Sequence, residues 1–502
     1  MLFRSIDALV RQLIATELLA PGDTIAGIAA ATTTSTPALR AYLDGERELR
    51  DARPAAAVAK FQDAVAADSM FALAWYRLAR AARWNDVDDL SASAARRASQ
   101  LAASLPPRQQ ALVSAYHTLR FGSAVQAERQ FTQIVTDYPT DVEAWMLLGE
   151  AQFGSNPYYG RPIEEAAPAF RRVMALDPRN REVTVYLMDL AANASRIGQL
   201  DTLFSMYFSP NSAGEQPGIR AAYIALHGRR VGGAPPKRGS PSPLGDPVLA
   251  RVALHRISTD TSDRRAARSY ADVLIAAPAM RGEGLLARAT LSVADGDWGS
   301  ATPFFRNAMI LDPDRAAEYR ALFALAPSVV VSADTVRALR LALQTRRAAT
   351  TDVDGDLSSA EHDDVRTYLV GVLSVRLGDS AGVAAAQTAL SKRAAVQSRV
   401  AGALAQAIAG HWQLRRGNFP AAIAALEGST VDLPARIRQQ HPALGQHLDR
   451  LARAEALRRF GRRSEARQWY VSLREGFGVV GTPFVAAADS GRRWAESRST
   501  AP

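Results

Sequence analysis

The chain has 502 residues, 48% apolar and 22% charged, with a formal charge of +10 and no cysteine. That length exceeds one ordinary core, so the chain is either several domains or an array whose core grows as units are added. The composition is that of a folded, helix-rich protein, so disorder is not the default, and the missing thiols exclude disulfide frameworks, zinc ribbons and cysteine nucleophiles.

The positive charge is almost entirely arginine, because Lys60, Lys237 and Lys392 are the only lysines. The arginines are scattered along the chain without a long basic run, the pattern of a solvated helical surface; attraction of phosphate is the alternative reading. The N-terminal stretch MLFRSIDALVRQLIATELL carries Arg4, Asp7, Arg11 and Glu17, which break any apolar run. It therefore reads as neither a signal peptide nor a membrane span, and a cytoplasmic protein is expected.

Residues 1–37 form a lead-in with one short helix, and a repeat then begins. A helix-turn-helix repeat of about 34 residues places a bulky residue, Leu and a small residue on its first helix, and Ala, an aromatic, Ala and Pro on its second. The first copy supplies Gly45, Ala57 and Phe61, and the second supplies Trp75 and Leu78, with its second helix displaced by the loop WNDVDDLS. A third supplies Phe131 and Pro139. The fourth gives Trp145, Leu148 and Gly149, then Phe170 and Pro178 after an insertion, SNPYYGRP, expected to be a surface turn. A poorly matched pair extends over 181–210, and the first array is read as residues 38–227.

Residues 228–246, GRRVGGAPPKRGSPSPLGD, are too rich in Gly, Pro and Ser to hold a helix and read as a linker. A second array over 247–480 has its clearest copy in Trp298, Phe305, Ala308 and Pro313, and Gly378, Gly417 and Gly461 mark later turns. Residues 481–502 are left as a tail. Seven or eight helical pairs are expected, and the tryptophans Trp75, Trp145 and Trp298 are read as packing residues rather than an aromatic box.

The motifs WYRLARA, WMLLGEA, AFRRVMALDP and FFRNAMILDP resemble the tetratricopeptide repeat family over residues 38–210 and 282–475. The stretch from Thr32 to Ala79 is similar to the start of the C-terminal repeat region in bacterial signalling proteins. In those proteins the repeats follow a serine/threonine kinase, a cyclase, a transcription-activator domain or a TolB-like segment. The resemblance implies an all-α fold of helix-turn-helix repeats stacked into a right-handed superhelical solenoid, here in two arms. Two explanations for the missing output domain are then expected, a freestanding chain that has lost it or an incomplete or misassigned start.

No motif for chemistry can be assembled. The kinase loop, lysine and catalytic aspartates are missing, as are phosphate-loop and dinucleotide fingerprints. Asp352, Asp354 and Asp356 have calcium-loop spacing, but Leu357 replaces the required glycine and Asp363 the terminal glutamate. His441 and His447 lack the spacing of a zinc helix. The expectation is a non-enzyme with no cofactor, no metal and no small-molecule substrate.

Function then falls to the concave groove that the resemblance implies, lined by the first helix of each pair. Its groove-facing positions nominate Tyr42, Glu46, Tyr76, Arg80, Arg83, Tyr116, Arg120, Met146 and Glu150 as contacts for a protein or peptide segment. No paired Asn and Lys occupy these positions, which argues against a clamp for a terminal carboxylate. A nucleic-acid-associated regulator using the arginine surface is the alternative, and an enzyme with a site assembled only in space is more remote.

Overall fold

The structure, a computed structural model, describes residues 33–85, 87–207, 244–255, 261–345, 358–396, 398–434, 438, 441–475 and 478–497. The N-terminal stub, residues 228–243 of the Gly/Pro/Ser-rich segment, and Asp352, Asp354 and Asp356 lie outside the described residues. Among the described residues there are 23 α-helices and no strand, so the fold is all-α. This is enough for eleven pairs and a closing helix, more than the repeat signature picks out, because several pairs have lost their aromatic residue. No described helix is long and apolar enough to cross a membrane.

The first ten helices in chain order are α1 (Thr36–Arg50), α2 (Pro54–Ala67), α3 (Ala72–Trp84), α4 (Asp88–Leu101), α5 (Pro107–Phe121), α6 (Ala124–Asp137), α7 (Val142–Ser155), α8 (Ala167–Leu176), α9 (Arg181–Asn193) and α10 (Ile197–Tyr207). Their boundaries follow from local chemistry. The Ser35 hydroxyl accepts the Ala38 N–H at the start of α1, and Ser123 does the same for Gln126 at the start of α6. Pro54 opens α2, where its missing N–H costs nothing. Farther along, Gly378, Gly417 and Gly461 adopt φ of +75°, +75° and +88°, the left-handed conformation that ends a helix and reverses the chain.

Two compact units emerge from the contacts. Of the described residues, 33–153, 166–188 and 202–207 belong to the first, and 154–165, 189–201 and everything from 244 onward to the second.

The first unit is held by the small-and-aromatic pairing that the repeat predicts. Phe61, Phe131 and Phe170 are fully buried, as is Ala57, with Leu78 and Leu148 nearly so. Gly45 lies against the Phe61 ring and Gly149 against the Phe170 ring, each so close that a Cβ would overlap the ring and force it to shift. Trp75 and Trp145 pack half-buried on this core, and their indole N–H groups donate to the carbonyls of Ser69 at 2.9 Å and Pro139 at 3.0 Å. Each tryptophan thus ties its helix to the turn before it.

One expectation is corrected here. The second helix of the second copy is not displaced: α4 begins at Asp88, and Ser91, Ala95 and Ala98 fill the Ala, aromatic and Ala positions, all buried. Small residues replace the aromatic ring, and the Ser91 hydroxyl donates to the Ala79 carbonyl at 2.8 Å.

The second unit has a core extending from Leu285 to Ala488, and Phe305 and Ala308 sit in it as expected, with Trp298 packed 5.9 Å from the Phe305 ring. Pro313 is the first residue of the next helix. Within the segment read as a tail, Thr482–Ser497 is a helix whose Phe484 and Ala488 are fully buried and whose Gly491 lies against the Tyr470 ring. The insertion 154–165 belongs to this unit and is not a surface turn. Asn156 is fully buried and donates to the Pro162 carbonyl at 3.0 Å; the Tyr158 ring lies 3.9 Å under Arg438, and the Ile163 N–H donates to Glu475 at 2.8 Å.

The Gly149 contact yields a stability prediction. Gly149→Ala is expected to cost about 1–3 kcal/mol through overpacking against Phe170. Gly282→Ala, whose Cβ meets only Leu311 at 4.0 Å, is expected to cost nothing. Urea unfolding of both variants checks the difference.

Candidate functional site

Helices α1, α3, α7 and α9 of the first unit bring four carboxylates and two guanidiniums together. Arg77, on α3, donates from Nη2 to Glu46 of α1 at 2.8 Å and from Nη1 to Glu143 of α7 at 2.9 Å. One turn on, Arg80 faces three carboxylates. Its Nε reaches Glu143 at 3.1 Å, its Nη1 reaches both oxygens of Glu150 at 2.8 and 3.0 Å, and its Nη2 reaches both oxygens of Glu182 at 3.1 and 3.2 Å. The Tyr76 hydroxyl donates to Glu143 at 2.7 Å. Glu143 and Glu182 each stand second in their helix, where the positive end of the helix dipole favours a carboxylate.

Burial and charge pull these groups in opposite directions. Burial pushes the Glu143 carboxyl up, but Arg77 and Arg80 outweigh it and hold the group at about 2. Burial lifts Glu182 as well. There Arg80 compensates only in part, Glu150 and Glu143 add repulsion, and the carboxyl rises to about 7. Burial alone would lower Arg80; Glu150, Glu182 and Glu143 reverse this and keep it firmly charged.

Beside the cluster lies a cleft of about 750 Å³. Glu46, Arg77, Glu143 and Glu182 form its more buried wall, together with Tyr42. Arg47, Arg50 and Arg179 are exposed on its lining, and the Arg108–Asp141 pair, 2.8 Å apart, completes another side. The whole lining carries six arginines and six carboxylates.

The nine residues nominated from the sequence all belong to this unit, but only Tyr42 and Glu46 line the cleft. Tyr76, Arg80 and Glu150 sit in the ion cluster. Tyr116 is buried, with its ring edge-on to Tyr76 at 5.4 Å and Arg80 5.8 Å from its centroid. Arg83 is half-buried near Glu150 and Tyr186, Arg120 is buried with Asp88 at 3.6 Å, and Met146 is 2% exposed in the core. Sequence reasoning missed Arg77, Glu143, Glu182 and the Arg108–Asp141 pair. Glu143 and Glu182 stand at the second residue of α7 and α9, a groove-facing position by the same rule that nominated the others, so they could have been found.

His441 and His447 engage separate partners in the second unit: His441 meets Glu318 at 2.9 Å, and His447 stacks on Phe484 at 5.6 Å. The Asp363 region begins a helix capped by Ser358, whose side chain and that of Glu361 form a reciprocal capping box.

Arg80 provides a direct test. Its side chain is 4% exposed, and Arg80→Met leaves Glu143, Glu150 and Glu182 facing one another without their shared cation. A loss of about 3–5 kcal/mol is expected on breaking such a buried group. Chemical denaturation followed by a probe in the first unit measures it.

No protein-family model and no curated protein matches the chain. Among solved structures it is similar to human IFIT1 as a dimer with PPP-AAAA, at 11% identity and a TM-score of 0.32, covering 89% of this chain and 92% of that one. It is also similar to the APC/C hetero-tetramer Cut9–Hcn1, at 10% identity and a TM-score of 0.25, covering 94% of each chain. A third likeness is to PilW, described as a widely conserved type IV pilus biogenesis factor. There the identity is 16% and the TM-score 0.25, over 48% of this chain and 94% of that one. The architecture described above rests on this chain's own helices.

Proposed function

We propose that the chain is a protein-interaction scaffold whose first unit binds a segment of a protein partner in the cleft beside Arg77 and Glu143. The observation that carries this reading is the cleft itself: about 750 Å³, open at a rim of exposed arginines and walled by side chains from successive helical pairs. A surface built this way offers hydrogen bonds and charges at intervals along its length, which suits an extended chain better than a compact small molecule.

The charge balance favours protein over nucleic acid. Six carboxyl groups stand beside six arginines around the lining, and with Glu182 protonated the excess is a single positive charge, too small to hold a phosphate backbone. The finer setting, a sensory or regulatory arm in bacterial signalling or transcription control, is supported by the resemblance of residues 32–79 to the repeat regions of such proteins. The proposal is of a binding protein in the cytoplasm, acting without a cofactor.

Site-specific photo-crosslinking tests the reading. A crosslinker at Arg47 or Arg179, on the rim, is expected to capture one partner that the same group at the exposed Ile310 of the second unit does not. With that partner purified, Arg47→Glu combined with Arg179→Glu is expected to weaken binding about tenfold, the worth of two exposed charge pairs of about 0.7 kcal/mol each. Equal capture at all three sites, or unchanged affinity, contradicts the proposal.

A further inference from the structure

The Arg80 cluster has a charge imbalance built into its geometry. One guanidinium serves three carboxylates drawn from two helices, Glu143 and Glu150 from α7 and Glu182 from α9. Arg77 adds one cation but brings Glu46 with it. Arg83, on the same helix, lies near Glu150 and Tyr186. Asp88, which also neighbours Arg83, is shared with Arg120; apart from that pair, four carboxylates face three guanidiniums, with the neutral hydroxyls of Tyr76 and Tyr186 beside them. Glu182 is the partner at the far end of this chain of contacts, and its helix begins on the wall of the cleft.

We propose that Arg80 and its three carboxylates form a proton-operated clasp, closed when Glu182 carries a proton and loosened, so that α9 draws away from α3 and the cleft widens, when Glu182 ionises. The device is conformational and does not depend on which partner the cleft receives.

The direction follows from linkage. Glu182 is raised from its ordinary 4.5 to about 7, chiefly by burial, with Glu150 and Glu143 adding to the rise and Arg80 and Arg77 opposing it. A carboxyl whose value is raised in the closed state binds its proton more tightly there than in water. Its contribution to the closed state is therefore fully present below 4.5 and is lost as pH rises through about 7. The other charged groups facing it do not reverse this. Glu143 is held at about 2 and stays ionised throughout, and Arg77 and Arg80 stay charged.

Hydrogen exchange of the α9 amides at pH 6 and pH 8, corrected for the intrinsic dependence of exchange on pH, reads the opening directly. Between these conditions the two limiting values predict an upper bound of about ten-fold loss of protection. Glu182→Gln fixes the protonated form in shape and charge, and is expected to give the same protection at both pH values. A second readout does not depend on that variant: carbon-13 labelling of the glutamate carboxyls in a Glu475→Gln background, which removes the second unit's own buried carboxyl raised to about 7, is expected to show one titration near neutrality. Protection that does not change with pH overturns the proposal, as does a dependence that survives in Glu182→Gln or the absence of any carboxyl titrating near neutrality.

Discussion

The arrangement of the first unit depends on a single buried cation. Arg80 spends its Nε and both terminal nitrogens on carboxylates 63, 70 and 102 residues away in sequence. Those contacts draw the first helices of the second, fourth and fifth pairs toward one another, and Arg77 adds the first pair through Glu46. A charge moved out of water costs several kcal/mol unless its partners replace its hydration, and here each does so only because the others are present. Removing Arg80 leaves three carboxylates with uncompensated charge, which makes the cluster a constraint on helix placement more than a source of net stability. The cleft is bounded by the same residues, so its width is tied to their electrostatics.

Hydrophobic packing sets the stage on which this cluster forms. The Phe170 ring touches Gly149 on one side and stacks on Tyr186 at 4.8 Å on the other, which fixes α9 against α7. Tyr186 stands four residues after Glu182, one turn along the same helix face, so the aromatic contact and the ionic one position the same segment. A repeat protein ordinarily gains stability from neighbour on neighbour. Here ion pairs skip a unit, linking the second pair to the fourth and fifth, and the unit gains a cross-brace that local stacking alone does not supply.

What could be read in the sequence divides along the same line. Phe61, Phe131, Phe170 and Phe305 mark their helices because a ring facing a glycine or alanine is a local pattern, repeated at a fixed interval. The positive-φ glycines at 378, 417 and 461 are equally local. Where the pattern erodes, the reading fails for a physical reason: α4 keeps its place with the buried Ser91 and Ala95, and small residues give no signal in an alanine-rich chain. The insertion around Tyr158 failed differently. Its polar and turn-forming residues suggested solvent, yet the buried Asn156 amide nitrogen donates to the Pro162 carbonyl, and Arg438 covers the tyrosine ring. Among the nominated groove residues, most turned inward because a charged position on an inner helix face can meet another helix as readily as a ligand, and only the tertiary structure decides which.

The most direct test of the account is a double-mutant cycle between Arg80 and Glu150, measured by denaturation of Arg80→Met, Glu150→Gln and the combined variant. A shared cluster predicts that the two losses do not add, with a coupling energy of about 1–3 kcal/mol. Strict additivity would contradict it, since it would mean that each side chain acts alone and that Arg80 does not hold the helices of the first unit together.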